Sequence, residues 1–144
     1  RPLAAARLWG AGLSSLKREG SVVWTTLTLQ DRQASSYHGF DDADLVNVLS
    51  SIEEADIAVI FLEQPDDRVK VSWRAQPGFD VSGLAVSFGG GGHAAAAGAD
   101  IPGSLAEVET KVLGATHVAL QQMRAQSEFH DHTRKGMEKS NGKR

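Results

Sequence analysis

The sequence predicts a single α/β domain in which a mixed β-sheet packs against helices. Segments with the apolar spacing of helices alternate with segments rich in β-branched residues, an order typical of this class. Residues 68–74 alternate strictly between apolar and polar side chains, as expected of a strand with one buried face. The chain has 144 residues, of which 41% are hydrophobic, and this is the size and apolar content of one compact domain.

Helical spacing near the N-terminus predicts a first helix, and Gly20 is expected to end it. Residues 22–29 are rich in Val, Trp and Thr and predict a strand, whereas residues 30–42 show no regular pattern. A second helix should follow, capped by Asp42 or Asp44. The expected inward faces are Ala5, Leu8, Trp9, Gly12, Leu13 and Leu16 in the first helix, and Leu45, Val46, Val48, Leu49 and Ile52 in the second.

Two adjacent strands are predicted in the middle of the chain. Residues 57–62 form a continuous apolar run, which favours a strand buried on both faces. Residues 65–67, Pro-Asp-Asp, predict a turn, so the next strand should pair with this one as a hairpin. That next strand should bury Val69, Val71 and Trp73 and present Arg68, Lys70, Ser72 and Arg74 on its opposite face.

The remaining predicted elements are helical. Asp80 can cap a short helix that buries Val81, Leu84, Ala85 and Phe88, and four successive glycines from Gly89 should end it. Residues 104–107 have the form of a capping box and predict a long helix that frays after Arg124. The sheet, with strands near 22–29, 56–63 and 68–74, should pack against the first and last helices.

Composition bounds the function. Residues 1–125, the predicted domain, hold ten basic and fifteen acidic residues, a net charge of −5, while 126–144 should form a disordered basic tail. An acidic body disfavours long nucleic acid as a partner, although a local basic pocket could hold one phosphate or a short oligonucleotide.

Several site chemistries and locations are excluded. The chain has no cysteine, so it can hold no disulfide, thiol nucleophile or thiolate metal site. No apolar run approaches the length of a membrane span and no leader is evident, so we expect a soluble cytoplasmic protein. The start at Arg1, without Met, suggests a piece of something longer.

The segment 88–98 is the most unusual of the chain. Four adjacent glycines, 89–92, are costly to order, and a folded protein tolerates them mainly where positive φ or close approach of a ligand is needed. Backbone N–H groups there could form an anion nest, and His93 could add a donor. A flexible linker or a tight helix-to-strand turn is the structural alternative. A P-loop is excluded because His93-Ala94 replaces its Lys-Ser/Thr, and a dinucleotide fingerprint fits poorly.

Other polar residues are weaker candidates. Arg74 could contact phosphate through its guanidinium fork, with Lys70 on the same strand face and Asn47 at the edge of the site. His117 is expected to be a partly buried packing residue. His38 should be exposed, and the cluster His130-Asp131-His132 should be solvated within the tail.

Three segments resemble the C-terminal DHH-associated domain of the DHH phosphoesterases. They are Ser72-x-Arg74, residues 81–85, and residues 88–98, which read Phe-Gly-Gly-Gly-Gly-His-x-x-Ala-x-Gly. The resemblance runs from the first helix through the long helix and is greatest to NrnA-type oligoribonucleases and 3′-phosphoadenosine 5′-phosphate phosphatases, often labelled exopolyphosphatase-related. Residues 44–47 resemble an upstream segment of the same proteins. Ala75 and Asp44 depart from the family pattern, which has Ser and Gly at these places in many members.

The resemblance implies a division of labour between two domains. In this family an N-terminal DHH domain carries a dimetal centre, usually manganese, and the C-terminal domain binds the substrate. This chain would be the second part, without a cofactor of its own, and inactive alone even with added manganese. Its partners would be the DHH catalytic domain of the same polypeptide and a short oligonucleotide or nucleoside 3′,5′-bisphosphate. The residues expected to bind phosphate or nucleotide are Asn47, Ser72, Arg74, Gly89, Gly90, Gly91, Gly92 and His93.

Two other functions stay open at this point. One is a freestanding, noncatalytic nucleotide-binding module. The other is the nucleic-acid-binding domain of a RecJ-type single-strand exonuclease, for which a more basic surface is expected. A homodimer also stays open.

Overall fold

The computed structural model describes the backbone of residues 1–141 and the side chains of 1–129 and 131–136. In that part of the chain, a six-stranded mixed sheet lies between two layers of helices, which confirms the predicted α/β class. The elements are α1 (Leu3–Ser14), β1 (Lys17–Glu19), β2 (Val22–Leu27), α2 (Leu29–Ser35), α3 (Leu45–Ser50), β3 (Ile57–Gln64), β4 (Arg68–Ala75), α4 (Ser82–Ser87), β5 (Gly91–Gly92), β6 (Ala96–Pro102) and α5 (Leu105–Asn141).

The sheet has the strand order β1-β2-β3-β4-β6-β5. Strands β2 and β3 are parallel, whereas the other neighbours pair antiparallel. A parallel pair needs a crossover, and here α2 and α3 provide it. Residues 57–62 of β3 are all buried, as their continuous apolar run predicts. The predicted hairpin of β3 and β4 is also present, with its turn at residues 65–67.

Each face of the sheet has its own apolar core. Val59, Phe61 and Trp73 belong to the core under α4 and α5, where the rings of Trp73 and Phe88 stack with centroids 6.1 Å apart. The opposite core joins β2 and β3 to α1 and α3 through Leu8, Val23, Leu27, Leu45, Leu49, Ala58, Ile60 and Leu62.

The first helix ends earlier than its spacing predicts. It stops at Ser14, and the charged residues 17–19 pair with β2 as an edge strand. Gly20, at φ +60°, therefore forms the turn of the β1–β2 hairpin rather than the end of the helix. Leu16 is correspondingly 37% exposed instead of lying in the core. The helix ends although the apolar spacing continues to Leu16, because residues 17–19 form their backbone hydrogen bonds with β2 instead.

The unpatterned residues 30–42 contain most of α2. The Thr28 hydroxyl accepts from the Asp31 amide at 3.0 Å, and the Asp31 carboxylate accepts from the Thr28 amide at 2.9 Å, a complete capping box. Of the two predicted caps of α3, Asp42 accepts from the Val46 amide at 3.2 Å, whereas Asp44 makes no capping bond.

The last helix is longer than predicted. α5 continues to Asn141 instead of fraying after Arg124, so residues 126–141 of the expected disordered tail are helical. Residues 124–129 and 131–136 are all exposed, and Arg124 holds the beginning of this part to the domain through Ser21 and Asp56. Arg, Gln, Glu and Lys favour helix and propagate it from a packed beginning. Residues 142–144 of the tail lie outside the described residues. Within residues 1–141, no helix is both long and apolar enough to cross a bilayer.

Replacement of Thr116 by Val should destabilise the domain. Thr116 is fully buried in α5, and its hydroxyl accepts from Trp73 Nε1 at 3.1 Å while donating to the Val112 carbonyl at 2.7 Å. Val has nearly the same shape but leaves the indole N–H without an acceptor. We expect a loss of about 1–3 kcal/mol in the free energy of unfolding, measured by urea titration.

Thr110→Val in the same helix is the matched control. Thr110 is exposed and its hydroxyl bonds only its own helix, at the Ala106 carbonyl. Its replacement should change stability by less than about 0.5 kcal/mol. Equal losses in the two variants would contradict a stabilising Trp73–Thr116 hydrogen bond.

Candidate functional site

One face of β4, β6 and β5 is not covered by helices, and we call it the open face. Paired residues of neighbouring strands direct their side chains to the same face, so the strand register defines its members. On the same side of β3, Ala58, Ile60 and Leu62 are buried under helices. The open face, in which no member is buried, consists of Lys70, Ser72 and Arg74 from β4, Ala96, Gly98 and Asp100 from β6, and Gly91 from β5.

Arg74 is the best-positioned cation of the open face. Its Nε donates to Asn47 Oδ1 at 3.2 Å and its Nη1 to the Trp73 carbonyl at 3.1 Å, so α3 and β4 together orient the half-buried guanidinium. Within the described part of the chain, no carboxylate lies at ion-pair distance from it. Arg74 therefore presents an oriented positive charge that an anion can neutralise.

The four glycines of 89–92 have different structural roles. A Cβ on Gly90 would lie 2.1 Å from the Gly98 carbonyl oxygen, and one on Gly92 would lie 2.6 Å from the Ala96 carbonyl oxygen. These two glycines thus allow β5 to approach β6, while Gly89, at φ +83°, follows the end of α4. Gly91 has open space around its Cα. Part of the glycine run is therefore explained by packing of the backbone.

The predicted anion nest has fewer free N–H donors than expected, because three of its amides bond to carbonyls of the chain. The amides of Gly89, Gly90 and His93 donate to the carbonyls of Val86, Ala85 and Ala96, at 3.0, 2.8 and 2.8 Å. These N–H groups are already used, because the segment forms a strand-and-turn structure rather than an open loop. An anion on this face would depend mainly on side chains.

His93 and Arg74 flank the same small residue. Ala96 pairs with Arg74 in the β4–β6 ladder and exchanges two backbone hydrogen bonds with His93 across the β5–β6 turn. His93 and Arg74 thus lie two strand spacings apart, about 10 Å between Cα atoms. The β4–β6 register directs the Arg74 side chain to the open face. Ala96 leaves the space between them unfilled.

The predicted site residues divide into two groups. Asn47, Ser72, Arg74, Gly91 and His93 border the open face, whereas Gly89, Gly90 and Gly92 support the β5 backbone. Sequence reasoning assigned no role to the loop between α2 and α3, the helix that carries Asn47. An aromatic and acidic stretch at residues 37–42 was the available signal.

Tyr37 and Asp41 stabilise that loop. The Tyr37 hydroxyl donates to Asp41 Oδ1 at 2.5 Å, and the Ala43 amide donates to the same oxygen at 3.0 Å. The hydrogen bond to Asp41 and burial raise the pKa of Tyr37 to about 12. The same bonds lower the pKa of Asp41, whereas burial raises the pKa of Asp42.

None of the other histidines with a described side chain is a member of the open face. His117 is partly buried on α5, with Nε2 3.6 Å from Glu19 Oε2, in keeping with the expected packing role. His38 is exposed on the α2–α3 loop, and Asp131 and His132 are exposed on α5, while the His130 side chain lies outside the described residues. No group of three or more His, Asp or Glu among the described side chains could hold a metal ion.

Comparison with known families and proteins gives consistent matches. The DHHA1 domain model matches residues 33–122. A Thermus thermophilus protein named bifunctional oligoribonuclease and PAP phosphatase NrnA is 34% identical over 104 residues, covering 72% of this chain and 31% of that protein. Its namesake from Mycoplasma genitalium is 32% identical over 85 residues, 59% of this chain and 26% of that protein. The chain thus spans about a third or less of these relatives.

Solved structures show the same fold. An exopolyphosphatase-related protein from Bacteroides fragilis superposes with a TM-score of 0.72 at 26% identity, over 85% of this chain and 35% of that one. The pGpG-specific phosphodiesterase PggH from Vibrio cholerae superposes with a TM-score of 0.51 at 14% identity, over 78% of this chain and 36% of that one. The second match concerns the fold alone.

Alanine should be harmful at Gly90 and Gly92 but tolerated at Gly91. The added Cβ would collide with the β6 backbone at the first two positions and meet nothing within 4 Å at the third. We expect the first two variants to lose about 1–3 kcal/mol in the free energy of unfolding, and Gly91→Ala less than about 0.5 kcal/mol. Urea unfolding measures all three. Three equal losses would contradict the packing of β5 against β6.

Tyr37 should titrate near pH 12. It is the only tyrosine of the chain, so ultraviolet difference spectroscopy observes it alone. Because its folded pKa is raised, the stabilisation linked to it is complete below the ordinary pKa of about 10 and is lost as pH rises toward 12. Asp41→Asn removes the anionic acceptor and should return the pKa toward 10, whereas Asp66→Asn, in the exposed β3–β4 turn, should not. Circular dichroism at each pH distinguishes ionisation from unfolding, and identical titrations of all three proteins would refute the Tyr37–Asp41 bond.

Proposed function

Because the chain belongs to the DHHA1 domain family of NrnA-type DHH phosphoesterases, we propose that it is the substrate-binding part of a nucleotide-processing hydrolase. The ligand is a short oligonucleotide or a nucleoside 3′,5′-bisphosphate. The observation that carries this proposal is Arg74, whose oriented guanidinium has no ion-pair partner in the described structure and faces an open sheet surface.

The side chains of the open face suit a phosphate group. Arg74 can bind two phosphate oxygens, and the restraint from Asn47 means that little side-chain entropy is lost on binding. His93, beside Ala96 and opposite Arg74, adds the imidazole as a second donor. The small residues Ala96 and Gly98 form the floor between them, so a ligand can lie close to the sheet.

The chemical step belongs to another part of the enzyme. A manganese centre is expected in phosphoesterases of this type, but the described side chains offer no cluster that could hold it. We assign metal binding and activation of the attacking water to an N-terminal DHH catalytic domain of the same polypeptide. The partial coverage of the relatives, 31% and 26% of their lengths, leaves room for such a domain. In this arrangement the present chain binds and orients the phosphate.

Alanine substitutions of Arg74 and His93 test the proposal. Each should weaken binding of adenosine 3′,5′-bisphosphate to the 144-residue chain by about 10- to 100-fold, because a charge-assisted hydrogen bond of about 1.5–3 kcal/mol is lost. Isothermal titration calorimetry measures the affinity. Thermal unfolding should change little, since His93 is exposed and Arg74 is only half-buried.

Arg7→Ala is the control for the loss of one positive charge. Arg7 is exposed on α1, away from the open face, and should leave the affinity within about twofold. The proposal fails if Arg74→Ala and His93→Ala bind the bisphosphate as tightly as the unmodified chain.

A further inference from the structure

A largely apolar cleft lies between α2 and the loop that leads to α3. Its volume is ≈ 450 Å³. The cleft combines a cation with several aromatic rings, and one of these rings, Phe40, is 82% exposed. The lining residues that matter here are Arg32, Tyr37, His38 and Phe40.

Arg32 has donors without acceptors. Its Nε and Nη2 atoms are buried and have no hydrogen-bond partner, and these two atoms form the fork that binds a carboxylate or phosphate side-on. Asp41, whose pKa the charge of Arg32 lowers, already accepts hydrogen bonds from Tyr37 and Ala43. Buried donors of a cation are normally satisfied, so the arrangement lacks an acceptor.

The cleft and Lys70 lie at the same end of the sheet. At the cleft, the Leu29 amide donates to Glu63 Oε1 at 2.8 Å, and the neighbouring β3 residue Leu62 pairs with Lys70. Lys70, Ser72 and Arg74 follow one another on the same face of β4, and the Cα atoms of Lys70 and Arg74 are about 13 Å apart. A single phosphate cannot contact both cations, whereas an oligonucleotide lying along β4 can.

We propose that the cleft is a second nucleotide subsite, in which Phe40 stacks on a base and Arg32 and Lys70 bind the phosphate of a nucleotide further along the strand. The inference rests on the proposed function, since the first phosphate is the one bound at Arg74. Exposed aromatic rings combined with cations are the usual means of binding single-stranded nucleic acid without reading its sequence. The subsite makes the chain selective for oligonucleotides over single nucleoside bisphosphates.

Two probes of different length test this subsite by calorimetry on the 144-residue chain. They are adenosine 3′,5′-bisphosphate and the 5′-phosphorylated triadenylate pApApA. We expect the trinucleotide to bind at least about tenfold more tightly, because it gains base stacking and phosphate contacts at the second subsite. Phe40→Ala and Arg32→Gln should each remove most of that advantage and leave the affinity for the bisphosphate within about twofold. Lys70→Gln should have a smaller effect of the same kind.

The controls separate this inference from the function on which it rests. Arg7→Gln and Lys111→Gln make the same charge changes at exposed positions of α1 and α5 and should alter neither affinity. If Arg74→Ala weakens both probes while Phe40→Ala and Arg32→Gln weaken neither, the second subsite is wrong and the proposed function stands. If Arg74→Ala weakens neither probe, the proposed function is wrong. Should Arg32→Gln fail to fold, Phe40→Ala decides, because its ring is already exposed to solvent.

Discussion

The unequal covering of the sheet is the constraint on which the rest of the structure depends. β3 is buried on both faces, whereas β4, its hairpin partner, is buried only on the side of α4 and α5. On the other side, α1 and α3 pack over β2 and β3, and α3 also contacts the Arg74 end of β4, while most of β4, β6 and β5 stays open. The polar half of β4 can therefore face solvent without unfavourable burial, and the same half is available to a ligand.

Small residues around Arg74 leave space for a ligand above the open part of the sheet. Alanine or glycine occupies the facing positions of β6 and β5 around Arg74, so no large side chain fills the space above the strands. Gly90 and Gly92 additionally let the β5 backbone lie against β6. The glycine run thus serves packing directly and ligand access indirectly, because the close β5–β6 turn fixes His93 beside Ala96. The absence of side chains at these glycines thus allows both the close packing of β5 on β6 and the approach of a ligand to the sheet.

Sequence patterns predicted the elements whose local signal agrees with their packing. The alternation at 68–74 identified the strand, its buried face and the placement of Ser72 and Arg74 on the other face. The same reasoning missed three strands, because pairing with a neighbour creates them. They are β1, whose three residues are all charged, β5, which consists of glycine, and the alanine-rich β6. It also missed Arg32 and Phe40. The role proposed for these residues depends on the fold of the α2–α3 loop, which no local pattern encodes.

Charge placement is compatible with the anion binding that we propose for this acidic domain. The predicted domain carries a net −5, so its long-range field repels polyanions such as duplex nucleic acid. Arg68 is neutralised by Asp100 at 3.2 Å, and the exposed geometry makes that pair weak. Arg74 instead bonds the neutral amide of Asn47, which orients the guanidinium without compensating its charge. An anionic ligand is therefore attracted only at short range, by a few cations such as Arg74. A short ligand that contacts those cations is favoured over a long polyanion that also meets the acidic surface.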